Sequence, residues 1–250
     1  MKQPQNKLQK NQIETMALER VDVDNCSDRL QIVLHRARYD FVLARLTAGQ
    51  RVLEIGTGLG TFTKELFQKC DSYIGVEFDH DTCLEVRRKT EGKAEIIEAD
   101  ARCLPFRDNQ FSFIVCLEVL EHLGDWTAGA RNIHRCVQPG GMAIISVPYR
   151  RIGSKSETNE YHIYEPGEKE LVSLFKQLFD RVEVFYQYFE ETDFMTLARR
   201  LHIRRFLGMV RIYADLSAGL PHATSKLRIG QQSRGMNTSL ILVVSGKKQL

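Results

Sequence analysis

Three glycines at alternate positions, Gly56, Gly58 and Gly60, follow the apolar run Val52-Leu-Glu-Ile55. They precede a segment from Thr61 to Cys70 in which Phe62, Leu66 and Phe67 recur at helical spacing. A strand–loop–helix unit of this kind can bring a ligand against the main chain. Glycine takes backbone conformations with φ > 0, and without a Cβ it lets a ligand approach the loop, Thr57 included. The spacing Gly-x-Gly-x-Gly departs from the Gly-x-Gly-x-x-Gly of a dinucleotide site, because Thr61 stands where the third glycine would fall. Glu54, just ahead of the loop, suits a cationic or hydrogen-bond-donating ligand better than a pyrophosphate. A tight turn with no ligand is the other reading of these residues.

Further acids and two histidines fall at positions where chemistry is possible. Glu77 closes a second strand about twenty residues beyond the loop, where a carboxylate can accept from both hydroxyls of a ribose. A strand-end carboxylate facing water is its alternative. Glu118, Glu121 and His122 follow the near-continuous apolar strand 111–117. Ligands of open α/β sheets bind beyond the carboxyl ends of the strands, so these three are expected near the reacting group. His122 and His162 lie on segments that should reach this edge, and each is a candidate base. Packing or orienting an acceptor is the alternative work for either. Glu118 and Glu121 alone do not make a divalent-metal site; helix-cap or cofactor-amine contacts are expected of them, and no metal is expected.

The elements that must position these residues alternate strand and helix. A helix runs from Asp28 through Leu46. Strands at 51–55, 72–77, 94–98, 111–117 and 142–147 are separated by helices at 61–70, 81–89 and 128–137, the last turned by Pro139-Gly140-Gly141. Asp79 opens the turn before 81–89 and can cap that helix. After a polar stretch 149–160, expected to be a mobile loop, a helix carries Leu171, Leu174, Phe175, Leu178 and Phe179 on one stripe. Strands at 182–186 and 238–245 complete the pattern. The fold class is therefore α/β: a Rossmann-like sheet of seven mostly parallel strands, the last antiparallel and beside the fifth, with helices on both faces.

The stretch Glu54-x-Gly56-x-Gly58-x-Gly60 resembles motif I of the class I S-adenosylmethionine (SAM)-dependent methyltransferases. Glu77 matches the ribose-binding acid of that family. Ala99-Asp100 followed by Leu-Pro-Phe106 resembles its next motif, and Glu118-Val-Leu-Glu-His-Leu123 its "VLEHL" segment, found in a subfamily acting mostly on small molecules. Helix, Pro-Gly-Gly and apolar strand at 128–147 continue the same order, and His162 to Pro166 resembles the family's entry to its last helix. The resemblance covers roughly residues 51–148 and implies S-adenosyl-L-methionine as cofactor. It implies that Asp100 accepts from the adenine amino group, with Ala101 N–H reading the ring nitrogen. It also implies that Arg38 and Tyr39, on the helix before the loop, contact the methionine carboxylate; a solvated helix face is their alternative. Arg38, Tyr39, Glu54, Gly56, Thr57, Gly58, Gly60, Glu77, Asp100, Ala101 and Glu118 are thus the candidate cofactor residues, and His122 and His162 the candidate catalytic ones.

The remaining composition bounds the function. The 250 residues suffice for one α/β core, and 43% hydrophobic with 27% charged content is ordinary for a globular protein. A net charge of +3 is too small to argue for nucleic acid. Six scattered cysteines without a Cys-x-x-Cys pair read as buried, reduced thiols, and no apolar run is long enough to span a membrane. With no apolar secretory segment in Met1–Gln12, a cytoplasmic location is expected.

Residues 1–20 are read as a mobile tail and 21–250 as one methyltransferase domain. Within it, 187–237 is a basic insertion containing Arg199, Arg200, Arg204, Arg205 and Arg211. That insertion reads as a lid over the substrate, or as a helical decoration or oligomer contact. The expected activity is methyl transfer to an O or N acceptor of a small molecule or glycan-like metabolite. Transfer to RNA or protein through the insertion, and a catalytically silent SAM-binding protein, are the alternatives. The insertion lacks the interleaved aromatics that stack bases, which disfavours nucleic acid.

Overall fold

The computed structural model describes residues 29–156, 159–190, 227–232 and 235–249. Helix α1 (Arg29–Leu43) leads into β1 (Arg51–Ile55), α2 (Thr63–Phe67), β2 (Ser72–Glu77), α3 (His80–Lys89), β3 (Glu95–Glu98) and β4 (Phe111–Leu117). A 3₁₀ turn (Leu120–His122), α4 (Trp126–Cys136), β5 (Val137–Pro148), α5 (Glu168–Leu178), β6 (Phe179–Glu190), β7 (Leu227–Gly230) and β8 (Gly235–Lys247) follow. The strands form one eight-stranded sheet in the order β3-β2-β1-β4-β5-β8-β6-β7. Neighbours from β3 to β5 pair in parallel, whereas β8 is antiparallel to both β5 and β6. The strand order reverses at β1, beside β4. In an open α/β sheet the crevice beyond the strand ends at that point is where ligands sit.

Strand β4 shows why the sheet is covered on both faces. Phe113, Val115 and Leu117 pack on one side with Tyr39 and Val42 of α1, Leu66 of α2 and Val86 of α3. Ile114 and Cys116 pack on the other with Ala130 and Ile133 of α4 and Leu171 and Phe175 of α5. Phe111 joins the second cluster although its parity matches Phe113. A register irregularity between these two residues, opposite 137–142 of β5, inverts the alternation. Pro139-Gly140-Gly141 thus lies within the irregular start of β5 rather than in a turn ahead of it.

Caps fix the helix starts that feed the site. The Asp79 side chain accepts from Thr82 N–H at 2.9 Å and Asp125 from Ala128 N–H at 3.0 Å. Glu170 reaches back to the N–H of Gly167 at 2.9 Å.

Three expectations change. The sheet has eight strands, not seven, because Leu227–Gly230 adds an edge strand to β6. The insertion expected over 187–237 is narrower, since 187–190 extends β6 and 235–237 begins β8. The tail 1–20 and residues 191–226, with the expected lid and its arginines 199–211, lie outside the described residues. Finally, the polar stretch 149–156 is tied down: Tyr149 N–H donates to Thr238 O (3.0 Å), Glu168 N–H to Arg150 O (2.8 Å) and Ser154 N–H to Glu165 O (3.1 Å). No helix among the described residues is long and apolar enough to cross a membrane.

Candidate functional site

The glycine loop leaves the end of β1 with positive φ at Gly56, Gly58 and Gly60. Two of these positions have no room for a side chain. A Cβ on Gly56 would lie 2.4 Å from Cγ2 of Val119, and one on Gly60 would lie 2.7 Å from Cγ1 of Val86. Gly56 therefore lets the loop approach the turn after β4, and Gly60 lets it pack on α3. Gly58 N–H donates to Glu77 Oε2 at 3.0 Å. Glu77 Oε1 accepts from the N–H groups of Phe78 (3.0 Å) and Asp79 (3.2 Å). A carboxylate fixed by three backbone donors stands at the carboxyl end of β2, on the wall of the cavity that also borders Gly56, Thr57 and Gly58.

Glu54 does not face that cavity, and Gly60 is not on its wall either. The Glu54 carboxylate is buried among hydroxyls: Tyr39 Oη donates to Oε1 at 2.5 Å, Thr63 Oγ1 to Oε2 at 2.9 Å, and Tyr73 also donates to Oε2. Burial pushes its pKa up, and the three hydroxyl donors oppose that shift. These two residues thus hold the loop from behind the cavity wall.

Arg38 and Tyr39 are both buried on α1 and both reach the cavity. Arg38 is 2% exposed; its Nη1 donates to Gln187 Oε1 (2.8 Å) and Ser239 Oγ (3.1 Å), and its Nε has no hydrogen-bond partner among the described residues. A guanidinium on the cavity wall with an orphan N–H fits an anionic group there. The Tyr39 hydroxyl is committed to Glu54, so its ring, not its oxygen, is what it can offer.

Asp100 and Ala101 follow β3 on the same wall. The Asp100 carboxylate accepts from Arg102 N–H (2.8 Å), Nε (3.0 Å) and Nη2 (2.6 Å), and these hydrogen bonds hold its pKa below the ordinary range. The same cavity is lined by Phe78, which the sequence analysis gives no role. Its side chain is 66% exposed yet borders the cavity. An aromatic residue directly after the strand-end acid was the available signal.

The far end of the cavity is built by two segments. Glu118 has φ 53°, uncommon for a residue with a Cβ, and such strain gathers at functional positions. Its N–H donates to Ser146 O (2.9 Å), and Ser146 Oγ donates to its Oε1 (2.7 Å). The 3₁₀ turn then docks on 161–165: Tyr164 N–H donates to Glu121 O (3.3 Å), and His122 Nδ1 lies 3.2 Å from Tyr161 O. The rings of His122 and His162 meet edge to face with centroids 4.8 Å apart. His162 Nδ1 lies 2.5 Å from Glu165 Oε1, and Arg150 Nε donates to the other oxygen of Glu165. Burial raises the Glu165 pKa, but hydrogen bonds from Arg150 and His162 outweigh it and keep the group below its ordinary value.

Glu121 is the outlier. It is 0% exposed, borders the cavity, and neither carboxyl oxygen has a hydrogen-bond partner among the described residues. Burial, and then the neighbouring Glu118 carboxylate, push its pKa well above the ordinary range. The sequence puts it at the sheet edge with a helix cap or a cofactor amine as its expected contact. Glu165 and Arg150 were missed, because nothing local marks a pairing across 15 residues.

One cavity of about 820 Å³ joins all of this, from Phe78 and Asp100 past the glycine loop to His122 and His162. Its size falls within the range of about 300–1,000 Å³ usual for small-molecule sites.

Residues 53–145 match the methyltransferase domain family model. Over 143 residues, 55% of this chain and 55% of the relative, the chain is 29% identical to a "Probable S-adenosylmethionine-dependent methyltransferase" of Mycolicibacterium smegmatis. It is also 29% identical over 132 residues, 49% and 53% of the two chains, to a ubiquinone/menaquinone biosynthesis C-methyltransferase of Coxiella burnetii. These matches span about half the length of those relatives. A crystal structure described as a SAM-dependent methyltransferase of Thermotoga maritima superposes with a TM-score of 0.59 at 18% identity, over 86% of this chain and 91% of its own. The fold is thus the Rossmann-like one of these enzymes. Residues 53–145 thus match a methyltransferase domain, and the relatives aligned over about half their length are named for S-adenosylmethionine-dependent methyl transfer.

Proposed function

We propose that this protein transfers the SAM methyl group to an oxygen or nitrogen of a small or glycan-like acceptor. The observation that carries the reading is the single cavity running from the glycine loop to the His122–His162 pair. The residues present fit the cofactor. Glu77 takes the ribose hydroxyls in this reading, Asp100 and Ala101 the adenine edge, Phe78 its face and Arg38 Nε the methionine carboxylate; their shared lining of one cavity supports it. Gly56, Thr57 and Gly58 present main chain to the same ligand, while Glu54 and Gly60 hold the loop in place.

Bound SAM supplies an electrophilic sulfonium methyl. The chain's own work is to bind and orient an acceptor in line with it, to exclude water, and to receive a proton. Glu118, at a strained position, lines the cavity. Glu165 and Arg150 fix the ring of His162. A proton on Nδ1 toward Glu165 leaves the lone pair on Nε2, the state a base requires. His122, hydrogen-bonded through Nδ1 to Tyr161 O, is set in the same tautomer and packs against His162.

Calorimetry with S-adenosylhomocysteine, followed by turnover assays on sugars, phenols, small amines, RNA and protein, tests the reading. Micromolar binding and turnover on a small acceptor, with the new methyl on O or N by NMR, are expected. Methyl transfer confined to RNA or protein, or a product methylated on carbon, would overturn it.

A further inference from the structure

The pair of histidines and the orphan carboxylate come together. One ligand atom from each of Glu121, His122 and His162 lies within 4.8 Å of the others, in a wall of the same cavity. We propose that these three side chains bind a divalent transition-metal ion of the Mn²⁺, Fe²⁺, Co²⁺ or Zn²⁺ class, whose open positions take oxygen atoms of the acceptor.

Four observations converge. First, Glu121 is fully buried with both oxygens unpartnered, although buried polar groups nearly always find a partner. An ion supplies the missing partner and offsets the Glu118 carboxylate beside it. Second, His122 and His162 both use Nδ1 toward protein oxygens, Tyr161 O and Glu165 Oε1. For His162 that puts the ring lone pair on Nε2, and a carboxylate or carbonyl behind a ligating histidine is the usual support for metal binding. Third, the donor set of two imidazoles and one carboxylate suits a borderline divalent ion; an all-oxygen set would suit Mg²⁺ or Ca²⁺. Fourth, three protein ligands leave coordination positions open, and these face the cavity where an acceptor would sit.

Metal–ligand bonds of about 2.1 Å place neighbouring ligand atoms roughly 3.0–3.4 Å apart, so an ion would draw the widest of these separations in. The three groups come from two short segments already clamped together by the Tyr164–Glu121 and His122–Tyr161 contacts, so that adjustment is local.

The ion site itself is independent of the methyl-transfer reading; its role toward the acceptor rests on that reading. With an ion bound, both imidazoles are committed to it, and a coordinated hydroxyl is made more acidic by the ion instead of by a histidine base. The acceptor class narrows accordingly to molecules offering one or two oxygens, hydroxyls above all.

Chelator-treated full-length protein is titrated with Co²⁺ and followed by visible absorption, and with Mn²⁺ followed by EPR. One equivalent should bind, giving a d–d spectrum without the thiolate charge-transfer band of cysteine ligation. Each of Glu121→Gln, His122→Ala and His162→Ala should weaken binding at least tenfold, with circular dichroism unchanged. Glu165→Gln, behind a ligand, should weaken it less. If one variant misfolds, the other two still decide. No saturable Co²⁺ or Mn²⁺ binding, or binding unchanged in the folded variants, overturns the proposal. S-adenosylhomocysteine calorimetry on the same samples separates the two readings. Cofactor binding with no metal binding removes this site alone; metal binding without cofactor binding removes the methyl-transfer reading and leaves the site.

Discussion

The main-chain N–H of Gly58 donates to the Glu77 carboxylate at 3.0 Å, so the turn after β1 is latched to the end of β2. One side chain thereby shapes the loop and stands on the cavity wall. Glu77→Ala is expected to weaken S-adenosylhomocysteine binding by about 1–3 kcal/mol, the scale of a charge-assisted hydrogen bond, or roughly 5- to 150-fold. Glu77→Gln should fall between. Calorimetry that finds alanine within twofold of the parent would place the ribose elsewhere.

Glu54 gathers hydroxyls from α1, α2 and β2. A neutral amide in its place would turn an N–H₂ donor toward groups that themselves donate. Glu54→Gln should therefore lower unfolding stability by about 1–3 kcal/mol, and Tyr39→Phe by about 1 kcal/mol. Urea midpoints report both. Cofactor affinity should fall less than stability, since the carboxylate is not on the cavity wall. The reverse order would show that Glu54 meets the ligand directly.

At Gly60 two penalties coincide, a φ of +68° and a Cβ only 2.7 Å from Val86. Gly60→Ala should cost about 1–2 kcal/mol from the backbone alone, plus the contact. Adding Val86→Ala should not restore parental stability, because it can relieve the contact but never the φ while opening space of its own. Full restoration in thermal melts would show that the backbone conformation is not the constraint.

His134 is buried on α4, with Nε2 2.9 Å from Lys248 O and its ring edge-on to Phe179. Burial, aided by the charge of Lys247, holds its pKa below the ordinary value, against the hydrogen bond to Lys248. Above about pH 6.5 both folded and unfolded forms are neutral and the group contributes no slope. As pH falls below that, the unfolded chain takes a proton that the folded one does not, so stability drops. His134→Gln, which can keep a donor toward Lys248 O, should flatten the stability curve below about pH 6.5. Identical slopes for parent and variant between about pH 5 and 6.5 would falsify this assignment.

Much of the fold was legible because its signals are local. Strands β2 and β4 fall at the residues where apolar runs predict them, and Asp79 caps α3 as its position suggests. What local pattern could not show was how the chain uses sites far apart in sequence. The edge strand β7 is four residues beyond a long insertion, too short for a periodicity to stand out. The stretch 149–156 reads as polar and loose, yet its partners Glu165, Glu168 and Thr238 hold it.

The sequence by itself determined the order of strand, glycine loop, helix and strand-end acid, because each is written within a few neighbouring residues. It also put Glu77, Asp100, Glu118 and His122 at the carboxyl edge, since every parallel strand must end there. Only the tertiary structure decided what those groups face. It turned Glu54 inward onto three hydroxyls, joined Arg38 to Gln187 and Ser239 across 149 and 201 residues, and closed His162, Glu165 and Arg150 into one hydrogen-bonded chain. It also left Glu121 buried beside two imidazoles without a donor. The physical reason is that residue type sets what a side chain can donate, accept or bind, whereas packing sets which partners and how much water it meets.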